Sequence, residues 1–200
     1  MRLAPLLAFA LLPACATTPQ AAAPAVNPAP ITAQDRERLR GWRSAFTAGL
    51  RQAQAAGHGP AIAREGALLQ PDAALGGTIP SGAYRCRMIK LGARSAGMPA
   101  FTAYPAFTCR IAAAGERRLS FVKLTGSQRQ VGFIHPHDDL RSLFLGTLVL
   151  GDEQRALPYG RDSERDLAGW VERVGEQRWR LLLPRPAYES LIDVVELVPA

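Results

Sequence analysis

The chain reads as a mainly β (α+β) domain, an N-terminal helical pair packed on a small antiparallel β barrel or sandwich. Three observations predict this. Beyond residue 81, apolar and polar residues alternate in eight short runs, 84–91, 107–113, 119–124, 131–135, 143–150, 170–174, 179–183 and 191–198, separated by Gly, Pro and Asp clusters. Residues 32–70 instead repeat their apolar side chains at helical spacing. Cys86 and Cys109 lie in two strand-like runs placed symmetrically about Gly97-Met98, as a disulfide across a hairpin requires.

Two hundred residues with 48% apolar content suffice for one domain with its own core. The formal charge of +7 is almost all arginine, since Lys90 and Lys123 are the only lysines. With 17 acidic residues interspersed, this is not the polybasic pattern of a nucleic-acid binder, and no nucleic-acid partner is expected. No cofactor motif is present, and no cofactor is expected.

Residues 1–14 read as a signal peptide of the lipoprotein type: Arg2, an apolar stretch from Leu3 to Leu12, then Leu12-Pro13-Ala14-Cys15 in the manner of a lipobox. Cys15 is then the lipidated residue, and Ala16 after it favours the outer membrane. The alternative is an ordinary secretory peptide cut near Ala14 or Ala16. Residues 15–31, rich in Pro and Ala, cannot build a core and form a tether. Export leaves Cys86 and Cys109 in an oxidising compartment, where one disulfide would contribute about 3 kcal/mol by loop closure. Two buried thiols are the other possibility.

The globular domain spans 32–200, helical over 32–70 and β over 82–198. Thr32 and Asp35 form a capping box ahead of a stripe of Leu39, Trp42, Phe46, Leu50 and Ala53, and Gly57 ends the helix. The arginines beside this stripe allow a basic helix lying on anionic lipid, but a narrow Trp-anchored stripe favours packing on the domain. A second short helix begins at Pro60 and stops near Leu69, before Pro71. The last run also fits a helix through Tyr188, Leu191, Ile192 and Val195; its valines favour a strand.

The chemistry-bearing residues are few. His135, His137 and Asp139 offer mixed N/O metal ligands within five positions, although a polar turn breaking at Pro136 reads the same residues without a metal. Residues 159–166 interleave carboxylates and arginines, either as an acid/base pair or as a self-paired loop. Thr125-Gly126-Ser127-Gln128, near Lys123, lacks the glycines and the Gly-Lys ending of a phosphate loop. No nucleophile elbow singles out a serine. Trp42, Trp170 and Trp179 read as core packing.

The symmetric hairpin register makes a sharper statement. It puts Tyr84, Cys86 and Met88 on one face with Phe107, Cys109 and Ile111. The opposite face then carries Arg85 and Arg87, with Arg110 directly across from Arg85. Like charges so placed need a counter-charge, supplied by carboxylates such as Glu116 or Asp193, or by an anionic ligand.

Taken together, YRCRMIKLG, AYPAFTCRI, LTGSQRQVG, FLGTLVLGDE, YGRDSERDLAG and RWRLLLPRPAYESLIDVVELVP resemble an uncharacterised domain-of-unknown-function family of bacterial envelope proteins with a lipoprotein-type signal. The resemblance covers residue 32 to the C-terminus and implies an envelope location with no assigned catalytic residues. By fold analogy alone, a lipidated, disulfide-tied β domain is similar to barrel-type periplasmic inhibitors of lysozymes and proteases. The expectation is therefore a lipid-anchored binding or interaction protein facing the periplasm, held to the membrane by its lipid. Its partner is an envelope protein or an anionic ligand. The alternative is a periplasmic enzyme or metal-binding protein using 135–139 or the loop at 162–166.

Overall fold

Eight strands form wherever the sequence alternates: β1 (Gly82–Ala93), β2 (Phe101–Ala113), β3 (Leu119–Lys123), β4 (Gln128–Pro136), β5 (Arg141–Leu150), β6 (Asp166–Gly175), β7 (Arg178–Pro184) and β8 (Ser190–Pro199). In the computed structural model, which describes residues 30–200, each strand pairs antiparallel with the next, and β8 returns to β1. The result is a closed barrel, so no sheet edge is left open. The cleavage and lipidation sites expected at residues 1–15 lie outside the described residues.

The helical segment wraps the outside. It comprises α1 (Ala33–Arg40), α2 (Trp42–Ala53), a π turn (Gln54–His58), α3 (Gly59–Glu65) and a 3-10 turn (Gly66–Leu69). The Thr32 hydroxyl accepts from the Asp35 amide at 3.1 Å, and Gly57 (φ 88°) breaks the helix where only glycine turns without strain.

Alternation in the strands creates two cores rather than one. Inside the barrel lie Tyr84, Cys86, Met88, Ile111, Phe121, Phe144, Leu181 and Leu197. Outside, Leu39, Trp42, Phe46 and Ala53 from the helices pack on Ile89, Leu91, Trp170, Ile192 and Val194. Strands β1, β5, β6, β7 and β8 are therefore apolar on both faces, which lengthens them beyond what alternation alone marks out. Helix and barrel approach closely at Gly49, where an added Cβ would stand 3.0 Å from Leu91.

One buried ion pair fastens the two layers. Arg180 (β7) and Glu172 (β6) point outward under the helices and are both fully buried, with the Arg180 Nη2 2.7 Å from a Glu172 oxygen. The same guanidinium donates to the carbonyls of Ala67, Leu68, Gln70 and Pro71, tying down the end of the helical segment. The second Glu172 oxygen takes Arg141 at 2.7 Å, and Arg141 lies over the Trp42 ring. The chain after this knot runs to the barrel end where β1 starts: Ile79 is buried in the inner core, and the Tyr84 hydroxyl donates to Pro80 O at 2.8 Å.

Cys86 and Cys109 form the expected disulfide, with Cα atoms 5.9 Å apart. The register is not the symmetric one. Tyr84 pairs with Cys109, and Cys86 with Phe107, so the bridge runs diagonally. A disulfide accommodates that separation, and the cysteines therefore do not dictate direct opposition. The shift preserves which side chains face inward, but Arg85 lies opposite Thr108 and Arg110 opposite Ala83. The two arginines do not confront each other. Further along, the register slips by one residue between Arg87 and Ile89, opposite Tyr104-Pro105, where proline has no N–H to donate.

Glu172→Gln removes the charge that compensates Arg180 and is expected to cost about 3–5 kcal/mol in guanidinium unfolding. Glu37→Gln, which breaks the exposed Arg40 pair, is expected to leave the midpoint unchanged.

Candidate functional site

The inner face of the barrel is apolar at the plugged end and polar at the other. There the strand pattern that sends Cys86 and Met88 inward also sends Lys90 inward. Lys123 pairs with Cys109 across β2–β3 and shares its face. Gln130 sits opposite Leu148, another interior residue. Lys90 faces Asp193 across the β1–β8 seam that closes the barrel. Thus the only two lysines of the chain both point into the barrel mouth.

Around them lies a cavity of about 320 Å³, lined by Met88, Lys90, Tyr104, Phe107, Lys123, Gly126, Ser127, Gln128, Gln130 and Glu189. A smaller one of about 200 Å³ adjoins it beneath Met98 and Pro99, sharing Lys90, Tyr104 and Glu189. Gly126 (φ 93°) lets the β3–β4 turn close over the site. An added Cβ would meet the Phe107 ring at 3.0 Å and the Lys123 amine at 3.3 Å. Among the described residues, Glu189 is one of two non-glycine residues with positive φ, at 67°, and its carboxylate reaches Lys90 at 3.0 Å. Strained backbone of this kind persists where the surrounding structure holds it.

The two amines have opposite surroundings. Burial works against the charge on Lys90, but Asp193 at 3.2 Å and Glu189 outweigh it and raise its pKa. Lys123 is only 4% exposed and, among the described residues, has no carboxylate within ion-pairing distance. Its amine donates to Gln128 O at 2.7 Å and lies 3.8 Å from the Phe107 ring centre. Burial, helped by the charge of Lys90, pushes it down to about 8. Beside it the Gln130 side-chain oxygen, on a residue 2% exposed, has no hydrogen-bond partner among the described residues. A buried ammonium without a counter-ion and a buried acceptor without a donor are both costly, and both abut the same cavity.

Of the residues singled out in the sequence, Gly126, Ser127 and Gln128 with Lys123 line this mouth and Asp193 pairs with Lys90 there; the others fall elsewhere. Arg87 is held on the outer face by Glu65 at 2.9 Å and Glu196 at 2.8 Å, rather than by Glu116 or Asp193. Arg85 and Arg110 are exposed on that face. His135 is buried on the outer side of β4 opposite Leu143, and His137 packs on Trp170 with ring centres 4.7 Å apart. Asp138 caps the turn by accepting from the Leu140 and Arg141 amides, while the Asp139 carbonyl accepts from Gly77. Among the described residues, no group of three or more His, Cys, Asp or Glu side chains converges to hold a metal. In the loop before β6, Arg165 pairs with Glu153 at 2.6 Å and lies 3.5 Å from Asp162. Asp166 is buried beside Arg38, whose guanidinium donates to its carbonyl, so this loop docks α1.

The mouth is hard to read from the sequence because its polar residues come one or two at a time from five elements, and 125–128 fails as a phosphate loop. One compositional signal pointed to it: lysine occurs only at 90 and 123 in an arginine-rich chain. The fold and site define a class: a closed eight-stranded meander barrel, strapped by helices, with a charged cavity at one end. The chain belongs to the family described as domain of unknown function DUF4893, whose profile matches residues 28–197. No curated protein and no solved structure matches it.

The Lys123 environment has a pH signature. Its folded pKa of about 8 lies below the usual 10.5, so between these values the unfolded chain binds more protons. Folding stability is therefore reduced below pH 8 and recovers as the pH rises toward 10.5. Lys123→Met is expected to be more stable than the parent chain at neutral pH, with the difference closing across that window in paired urea titrations.

Proposed function

We propose that this chain is a lipid-anchored binding protein of the bacterial cell envelope, facing the periplasm from the outer membrane. Its barrel mouth takes a small ligand with an anionic group. The observation that carries the ligand reading is Lys123, a buried ammonium with no carboxylate partner beside a cavity of about 320 Å³. A carboxylate or phosphate there supplies the missing counter-charge, while a donor on the same ligand satisfies Gln130. Met88 and the rings of Phe107 and Tyr104 give its apolar part a surface. The envelope reading rests on the lipobox-like residues ending at Cys15 and on the Cys86–Cys109 disulfide, which suits an oxidising compartment.

Two measurements test these parts separately. Cys15→Ser is expected to move the protein from the membrane to the soluble fraction and to abolish labelling by a radioactive fatty acid; an unchanged membrane fraction would overturn the anchor. For the ligand, titration of the folded domain with benzoate, phenyl phosphate and inorganic phosphate is expected to give saturable NMR shifts. At least one of these anions should shift the Gln130 side-chain amide and the Met88 methyl. Lys123→Met should weaken that binding about tenfold or more. Saturable shifts from none of the three anions would sink the mouth as an anion site.

A further inference from the structure

Arginine is the default cation of this chain. Of 24 basic residues, only Lys90 and Lys123 are lysines, and both line the same cavity. Every other positive charge, including the buried Arg180 and the paired Arg87, is a guanidinium. A guanidinium binds anions at least as well as an ammonium, and it makes bidentate contacts that lysine does not. Charge alone therefore does not account for lysine in the mouth. What lysine has and arginine lacks is an amine able to shed its proton near neutral pH and attack a carbonyl carbon.

We propose that Lys123 is a nucleophilic amine that condenses reversibly with the aldehyde or ketone carbonyl of a small oxo acid bound in the barrel mouth. The inference rests on the reading of the mouth as an anion-binding site and goes a step further in naming the reacting group.

The geometry suits this step. Lys123 is buried and held from one side by Gln128 O and the Phe107 ring, with no carboxylate to lock it as a cation. The charged groups acting on it are Lys90, Arg129 and Asp193, of which the two cations favour its neutral form and burial favours it most. Lys90, clasped by Asp193 and Glu189, stays the ammonium of the pair. Two like groups whose surroundings drive their proton affinities apart are the usual basis for dividing roles in a site.

In the reaction, the neutral Lys123 nitrogen forms a bond to the carbonyl carbon as the C=O π bond opens, and the oxygen takes up a proton while the nitrogen gives one up. The carbinolamine hydroxyl then takes a second proton and leaves as water, and the nitrogen lone pair forms the C=N bond of an iminium. No oxidant or reductant is consumed. Solvent at the open mouth exchanges the protons, and the acid group of the oxo acid supplies the counter-charge to the resulting iminium.

Glyoxylate with sodium cyanoborohydride tests the idea, because the reductant fixes the imine as carboxymethyl-lysine that peptide mass spectrometry can locate. With only two lysines, the assignment is unambiguous. In the folded protein at neutral pH, Lys123 is expected to be modified about tenfold or more faster than Lys90, and faster than Lys123 itself in guanidinium-unfolded chain. The rate should climb as the pH approaches 8. Lys123→Arg keeps the charge and should lose the modification while retaining the native near-ultraviolet circular dichroism. Equal modification of the two lysines, or slower modification of Lys123 folded than unfolded, would overturn the proposal. Saturable glyoxylate shifts at Gln130 without trapping at Lys123 would leave the binding site standing and remove the covalent step. Absence of both would remove the covalent step, and the separate anion titration then decides the site.

Discussion

A single guanidinium holds the two layers of this protein in register. Arg180 is fully buried between barrel and helices, and its desolvation is offset only if every donor finds an acceptor. It does so by taking Glu172 from the neighbouring strand and four carbonyls from the end of the helical segment. Because those carbonyls close the last helical turn and start the extended run toward Pro80, the pair fixes where the strap ends and where the plug begins. Phe46 stacks beneath the same group, its ring centre 5.3 Å from the guanidinium carbon, so the apolar stripe of α2 meets the barrel in one position. A purely apolar contact would tolerate sliding; a buried charge with directional partners does not.

The second constraint is closure. Once β8 pairs with β1, side chains that point inward share one narrow space, and alternate residues of every strand must fill it. The aromatic and aliphatic residues do so at the plugged end. Where β5 approaches β4, Gly132 faces Gly146, and an added Cβ on either would lie 2.3 Å from backbone oxygen, so the Phe144 ring occupies that space instead. At the mouth the inward positions are polar, and the Lys90–Asp193 pair lies across the closing seam itself. That seam therefore combines a structural task, locking β1 to β8, with the setting of charge inside the cavity.

The barrel was legible because its alternation is regular: all eight runs read from the sequence became strands, and the ambiguous 191–198 run became β8 for the reason its valines gave. Strand ends were less legible. Residues such as Phe101 and Asp166 belong to strands because of pairing and of burial under the helices, neither of which leaves a local pattern. The hairpin register is not legible from the cysteine pair, because a disulfide does not require direct opposition, and a bulge at Pro105 and inward packing set the pairing. The counter-charges of Arg87 could not be read from the hairpin at all. Glu65 comes from the helical strap and Glu196 from the closing strand, at separations of 22 and 109 residues.

The same logic explains why the clustered polar motifs are local structure while the polar cavity is built from isolated residues. The residues from His135 to Asp139 stand together because a hairpin turn needs Asx capping and a break at proline, and each finds its partners locally or on the outer wall. The mouth, by contrast, draws on β1, β2, β3, β4 and the turn before β8, each contributing one or two polar side chains at its inward positions. A closed barrel gathers such singletons automatically, since all inward positions near one end converge on the same axis. For this architecture, an unusual residue at an inward strand position is thus a stronger pointer to a site than a polar run in a turn. Lysine in an otherwise arginine-based chain is that kind of residue: burying it without a paired carboxylate costs stability, and the Gln128 carbonyl and the Phe107 ring offset that cost only in part, since burial still lowers its pKa.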